Sequence, residues 1–243
     1  MRRRNEADME DVTPALLEIL QKRFSEKIAV NPRIRALYKK IEEGKATYVD
    51  AEDYAHLIGE ALAQVFRENL SSAVLPNGKM YYNIADRILG TMLGENHRII
   101  SEATEIVQNF LNKSAGLGVK TQLVAVNQDR IKGLVDKVSE ADVFDDVAWA
   151  LDEPVKNFSV SVVDDILREN VEFQGKAGIS PVVVRKATWK CCEWCSKLEG
   201  EYTYPVIDRD VYRRHERCRC TVEFDPKDGR RGRQNVHTKA WTR

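Results

Sequence analysis

No stretch of this sequence approaches the roughly 18 consecutive apolar residues that a membrane-spanning helix requires. The basic start MRRRNEADMEDV has no apolar run behind it, so neither a secretory signal peptide nor a membrane anchor is expected. An excess of one charge is missing as well. The 38 Lys and Arg balance 38 Asp and Glu, which excludes a disordered polyelectrolyte and a wholly basic nucleic-acid coat. There is no Gly-x-x-x-x-Gly-Lys-Ser/Thr phosphate loop, no Gly-x-Gly-x-x-Gly turn and no Gly-x-Ser-x-Gly elbow, so the common nucleotide-binding and serine-hydrolase chemistries have no motif here. No repeats or low-complexity segments are present. Cysteine is absent before position 191, and all five cysteines then fall within the 30 residues from Cys191 to Cys220.

What is present suits a folded chain of one or two domains. Its 243 residues, 43% of them apolar, can bury a core without disulfides. The zero net charge hides a division: from Arg209 onward 11 Lys and Arg face 5 Asp and Glu, against 27 and 33 in the preceding residues. An acidic body with a basic tail points to nucleic acid or an acidic partner at that end, with solvated charged faces as the plainer alternative.

The first 180 residues predict a helical body, and residues 181–243 a small β-rich module with a basic tail: a mainly α fold with a small C-terminal α+β zinc-binding module. Thr13-Pro14 has the form of a helix start, followed by Leu17, Leu20, Phe24 and Ile28 at helical spacing; Asn31-Pro32 repeats the device and runs to Gly44. Asp50 can cap a helix to Leu70 with Tyr54, Ile58, Ala61 and Val65 on one stripe. Two helical segments, Met80–Leu93 and Glu95–Asn112, are expected to part around Gly94. Residues 119–126 suit a short strand or an extended connector equally. Asn127–Val138, Ala141–Leu151 and a long segment from Asp152 to Gly175 or Gly178 have helical spacing. Strands are expected at Val182–Thr188, Glu201–Tyr204 and Arg219–Phe224.

The chemistry concentrates in Cys191-Cys192-Glu193-Trp194-Cys195 and, 19 residues on, His215-Glu216-Arg217-Cys218-Arg219-Cys220. A Cys-x-x-Cys turn aims two sulfurs at one ion, and a second pair from a distant segment completes the tetrahedron that zinc accepts. Six candidates compete for four places. The expected ligands are Cys192, Cys195, His215 and Cys218, with Cys220 the substitute for His215 and Cys191 a bystander. Buried cysteines or disulfides are the alternative, but five cysteines cannot all pair within one chain. Four protein ligands leave no open position for a reactive water, so the zinc is expected to be structural. His56 and His97 lie in helical segments and read as packed or surface side chains. His237 near Asp208, Asp210 or His215 would make only a rudimentary nuclease-like centre, and no enzymatic activity is expected.

The run Cys192-x-x-Cys195, Leu198-x-Gly200, Tyr204-Pro205 and Arg214-His215-x-x-Cys218-Arg219-Cys220 resembles the C-terminal signature of the phage head morphogenesis proteins, the Mu F-like minor head (minor capsid) family of tailed phages and prophages. The ending Gln234-Asn235-Val236-His237-Thr238-Lys239-Ala240-Trp241 is similar to the tail of prophage members from Gram-positive hosts. The doubled Cys191-Cys192 departs from the simple pattern. The resemblance implies a low-copy virion component that associates with the portal protein during head assembly in the bacterial host cytoplasm and ends in the virion head, in contact with packaged DNA. Arg230, Arg231 and Arg233 are the candidate contacts to DNA or to an acidic partner, through phosphates rather than bases. A zinc-ribbon-like DNA-binding accessory protein and a metal-dependent nuclease or toxin-like effector are the alternative functions.

Overall fold

The computed structural model describes residues 11–188, 191–215 and 217–225. Within them the chain is mainly helical and ends in a three-stranded antiparallel sheet. The α-helices are α1 (Thr13–Val30), α2 (Pro32–Glu42), α3 (Tyr48–Asn69), α4 (Tyr82–Ser114), α5 (Gln128–Glu140), α6 (Glu153–Lys176) and α7 (Glu193–Lys197). The strands are β1 (Val182–Lys186), β2 (Gly200–Thr203) and β3 (Thr221–Asp225), in the order β2-β1-β3. None of the described helices is long and apolar enough to cross a membrane.

Several helix ends follow from local chemistry. Asn31 caps α2, its side chain accepting from the Arg33 and Ile34 amides, and Gly44 follows that helix at φ +65°, where a side chain would cost energy. Other ends differ from the sequence expectation. Thr13 is the first residue of α1 and not its cap, because its amide is taken by Asp11 Oδ1 at 3.1 Å. Thr47 caps α3, and Asp50 lies one turn in, returning a carboxylate to the Thr47 amide at 2.8 Å to complete a capping box. Gly94 interrupts nothing. The buried stripe Ile88, Leu89, Met92, Leu93, Asn96 and Ile100 runs through it, and α4 is one helix of 33 residues, since packing outweighs the roughly 1 kcal/mol a helical glycine costs. The expected helix over Ala141–Leu151 is instead two short 3-10 turns, Phe144–Asp146 and Ala148–Leu151.

Residues 119–126 form a connector without regular secondary structure, outside the sheet. Asn170 of α6 donates to the Gln122 carbonyl at 2.8 Å and accepts from its amide at 2.9 Å. One side-chain amide thereby supplies the pair of bonds a neighbouring strand would give.

α3 is the hub, packing against α1, α2, α4, α6 and β3. It approaches α6 tightly at Gly59, where a Cβ would fall 2.6 Å from Ser159 Oγ and 3.0 Å from the Lys156 Cα. Substitution of Gly59 by leucine is therefore expected to lower stability by about 1–3 kcal/mol through overpacking, although the change favours an isolated helix by about 0.8 kcal/mol. Urea denaturation of the two proteins checks the sign.

The sheet lies on this helical layer. Val183 of β1 pairs across with Phe224 of β3, and Arg185 with Val222, so alternation places these four on one face. Val183, Val222 and Phe224 join the same hydrophobic cluster as the helices, and the Phe224 ring sits 6.2 Å from that of Tyr48 in α3. Tyr204, just beyond β2, lies against Gly175 of α6, with its ring where a Cβ would stand.

Candidate metal centre

Three local structures deliver the sulfur and nitrogen atoms. Cys192 is the residue before α7, and its Sγ accepts the Cys195 amide at 3.4 Å. This bond turns the Cys-x-x-Cys segment so that both sulfurs face one point. His215 follows the 3-10 turn Arg209–Tyr212. A tight turn then brings Cys218 round, with the Cys218 amide donating to the His215 carbonyl at 3.2 Å. Arg217 inside it adopts φ +59°, a conformation most non-glycine residues avoid. Cys220 stands at the entry to β3 and is buried.

The side chains converge. His215 Nε2 lies 3.3 Å from Cys192 Sγ and 3.0 Å from Cys195 Sγ, and Cys195 Sγ lies 3.7 Å from Cys218 Sγ. Two triplets, Cys192–Cys195–His215 and Cys195–Cys218–Cys220, each have their ligand atoms within 4.8 Å of one another. Cys195 belongs to both and is fully buried. The cluster could hold a metal ion. A tetrahedral ion with bonds of about 2.3 Å to sulfur and 2.0 Å to nitrogen spaces its sulfurs about 3.8 Å apart and sulfur from nitrogen about 3.5 Å. The Cys195–Cys218 separation matches the first value, and the imidazole needs to retreat by up to about half an ångström to meet the second. All five cysteines are free thiols, the 3.7 Å separation being far beyond the roughly 2.05 Å of a disulfide. Cys191 belongs to neither triplet.

The environment divides the thiols. The amide of Cys195 donating to Cys192 holds that exposed thiol below its ordinary pKa. Burial, with the Cys220 thiol beside it, pushes Cys195 up, and burial also raises Cys218. Packed sulfurs resist ionising together, and a divalent cation among them supplies the charge that reverses this balance.

Two arginines build the surroundings. Arg185 in β1 is 1% exposed. Its Nη1 donates to the carbonyls of Val211 and Arg213 at 2.5 and 2.9 Å, and its Nη2 points at Cys195 Sγ at 3.7 Å. The Trp194 ring covers the guanidinium at 5.5 Å and meets His215 edge-on at 5.9 Å. Arg214, next to His215, reaches the opposite way, into the helical body. It forms a forked pair with Asp164 of α6 at 2.5 and 2.8 Å and a single-contact ion pair with Glu52 of α3 at 2.7 Å, and donates to the Cys220 carbonyl at 2.5 Å. Glu52 also accepts the Val222 amide at 2.8 Å, covering the outer edge of β3.

This triad has two carboxylates for one guanidinium, all nearly enclosed. Burial opposes the charge of Arg214, but Asp164 first and Glu52 second more than restore it. Burial above all pushes Glu52 from 4.5 up to about 8, against the pull of Arg214. Between those values the folded state binds a proton that the unfolded state has released. Stability is therefore expected to fall as pH rises from 4.5 to 8, the cost being absent below and complete above. Thermal midpoints across that range test this, and Glu52→Gln should flatten the dependence while keeping an acceptor for Val222.

The expected ligands are divided between the two triplets: Cys192, Cys195 and His215 come together in one, while Cys218 joins Cys195 and the substitute Cys220 in the other. Arg185, Arg214, Glu52 and Asp164 carried no role in the sequence reading. A charged residue two places from Val183 in an apolar run was a usable signal for Arg185, as were acidic residues on the apolar stripes of α3 and α6. Of the histidines set aside, His97 is half-buried within α4, where burial lowers its pKa, and His56 lines a small cleft between α3, α6 and the Cys218–Thr221 segment. Asp208 caps the 3-10 turn and Asp210 pairs with Arg213 at 2.9 Å. His237, Arg230, Arg231 and Arg233 lie outside the described residues. No family model, no curated protein and no solved structure matches this chain.

Proposed function

We propose that this chain is a structural minor head protein of a tailed phage or prophage, acting at the portal vertex during head assembly, with one zinc ion fixing its C-terminal module. The observation that carries the proposal is the meeting of the signature residues. Cys192 and His215 in one triplet and Cys218 in the other, drawn from two segments 19 residues apart in sequence, each come close to the buried Cys195. Arg214 of the same signature fastens that cluster to α3 and α6.

Zinc is the ion of choice because soft thiolates with an imidazole in a tetrahedral frame suit it, and it brings no redox chemistry. Four protein ligands complete its shell, so the ion's contribution is folding energy and not catalysis. A rigid module on a helical body offers docking faces to a portal ring. The basic segment containing Arg230, Arg231 and Arg233 supplies weak, sequence-indifferent attraction to packaged DNA, steeply reduced by salt. Assembly in the host cytoplasm and residence in the virion head follow from that role.

The test is co-expression with the portal protein encoded in the same genome, followed by purification and imaging of the complex. Density for this chain on the portal ring, lost when the sheet module is unfolded by ligand substitutions, supports the proposal. A portal ring that purifies without it, or metal-dependent cleavage of nucleic acid by the chain alone, contradicts it.

A further inference from the structure

We propose that Arg185 is the positioning residue of the metal centre: its guanidinium hydrogen-bonds the Cys195 sulfur, fixes the backbone that delivers His215, and supplies the positive charge that balances an ion held by three thiolates and one imidazole. The inference rests on the reading of the cluster as a zinc site and deepens it.

A guanidinium 1% exposed needs an anionic counterpart. Among the described residues no carboxylate pairs with Arg185; its partners are the carbonyls of residues 210, 211 and 213 and the sulfur of Cys195. Those carbonyls immediately precede His215, so the group that reaches the sulfur also sets the path of the imidazole. Trp194 closes the remaining face and adds a cation–π contact. The charges then decide between ligand sets. A divalent ion with three thiolates and an imidazole carries one negative charge, which one guanidinium cancels; with Cys220 in place of His215 it carries two. The charge of Arg185 therefore matches a set of three thiolates and one imidazole better than a set of four thiolates. Partners behind the first ligands fix orientation and tune affinity in this way at many metal sites.

The experiment compares the full chain with Arg185→Lys, which keeps the charge, and Arg185→Gln, which keeps a donor without it. Zinc-loaded proteins are titrated with a chelator of known affinity. Zinc retention is expected to weaken about 10- to 100-fold in the Gln variant and measurably less in the Lys variant. In the cobalt(II)-loaded Gln variant the thiolate-to-cobalt charge-transfer band should move to longer wavelength, because a thiolate relieved of the neighbouring positive charge is a better electron donor. Equal retention in all three proteins with an unmoved band overturns the role, and so does a Lys variant as weak as the Gln variant. A measurement on the unaltered protein guards against variants that fail to fold. With cadmium-113 in the site, guanidinium protons of Arg185 should exchange slowly and show coupling to the metal through the sulfur; fast exchange without coupling overturns the proposal. Unaltered protein that takes up no metal refutes the zinc reading itself, whereas loaded protein with indifferent Arg185 variants refutes this inference alone.

Discussion

Substitution of Cys195 by serine is expected to abolish metal retention and to unfold residues 182–225, while α1–α6 keep most of their helical signal. Cys195 is the one residue shared by both ligand triplets and is fully buried. Five donors lie in two triplets that meet at Cys195, one more than an ion takes, so loss of His215 is expected to leave Cys220 as a replacement and loss of Cys220 to leave the expected set whole. No spare donor replaces Cys195. Structural zinc supplies on the order of 10–16 kcal/mol to small metal-built folds, as much as the entire 5–15 kcal/mol stability of a typical domain. A three-stranded sheet of strands four to five residues long cannot make up such a deficit. The helical body has its own core, but it loses the cover of Val183, Val222 and Phe224 and should melt at a lower temperature. Elemental analysis and circular dichroism of Cys195→Ser, His215→Ala and Cys220→Ser check the ranking: total loss of metal in the first, weakened retention in the second, full retention in the third.

Arg214→Met should be the most damaging change outside the ligand set, lowering stability by about 3–5 kcal/mol. The magnitude follows from removing one partner of a buried ion cluster: Glu52 and Asp164 are left enclosed beside each other, and the Cys220 carbonyl and the edge of β3 lose their link to the helices. The deficit should shrink at pH 5, where the abandoned carboxylates take up protons. It should shrink further in the triple variant Arg214→Met, Glu52→Gln, Asp164→Asn, since replacing an entire buried ionic group is often close to neutral. Urea denaturation at pH 5 and 8 separates lost charge balance from lost packing, because a packing defect would be equal at both.

The candidate ligands were legible in the sequence because their signal is local: Cys192 and Cys195 sit at a turn spacing, and His215 and Cys218 repeat it. Residue 31 announced a helix start for the same reason, an asparagine before a proline. What was illegible depends on partners far along the chain. The continuity of α4 through Gly94 is decided by α3 and α6, the connector 119–126 by Asn170, and the docking of the metal module by Glu52 and Asp164, more than 100 and 50 residues respectively before β3. Arg185 shows the boundary most plainly. Its place on the inner face could be read from the strand alternation, but its role required Cys195 and the carbonyls before His215 to be brought beside it.

In the proposed centre one ion joins the Cys192 turn to the His215 turn. Metal content measured on reduced, purified protein tests it most directly. One zinc per chain, released together with the folded signal of residues 182–225 on chelation, is the predicted result. Protein free of metal, with the sheet intact and Cys195 bonded to Cys218 or Cys220 as a disulfide, would contradict it.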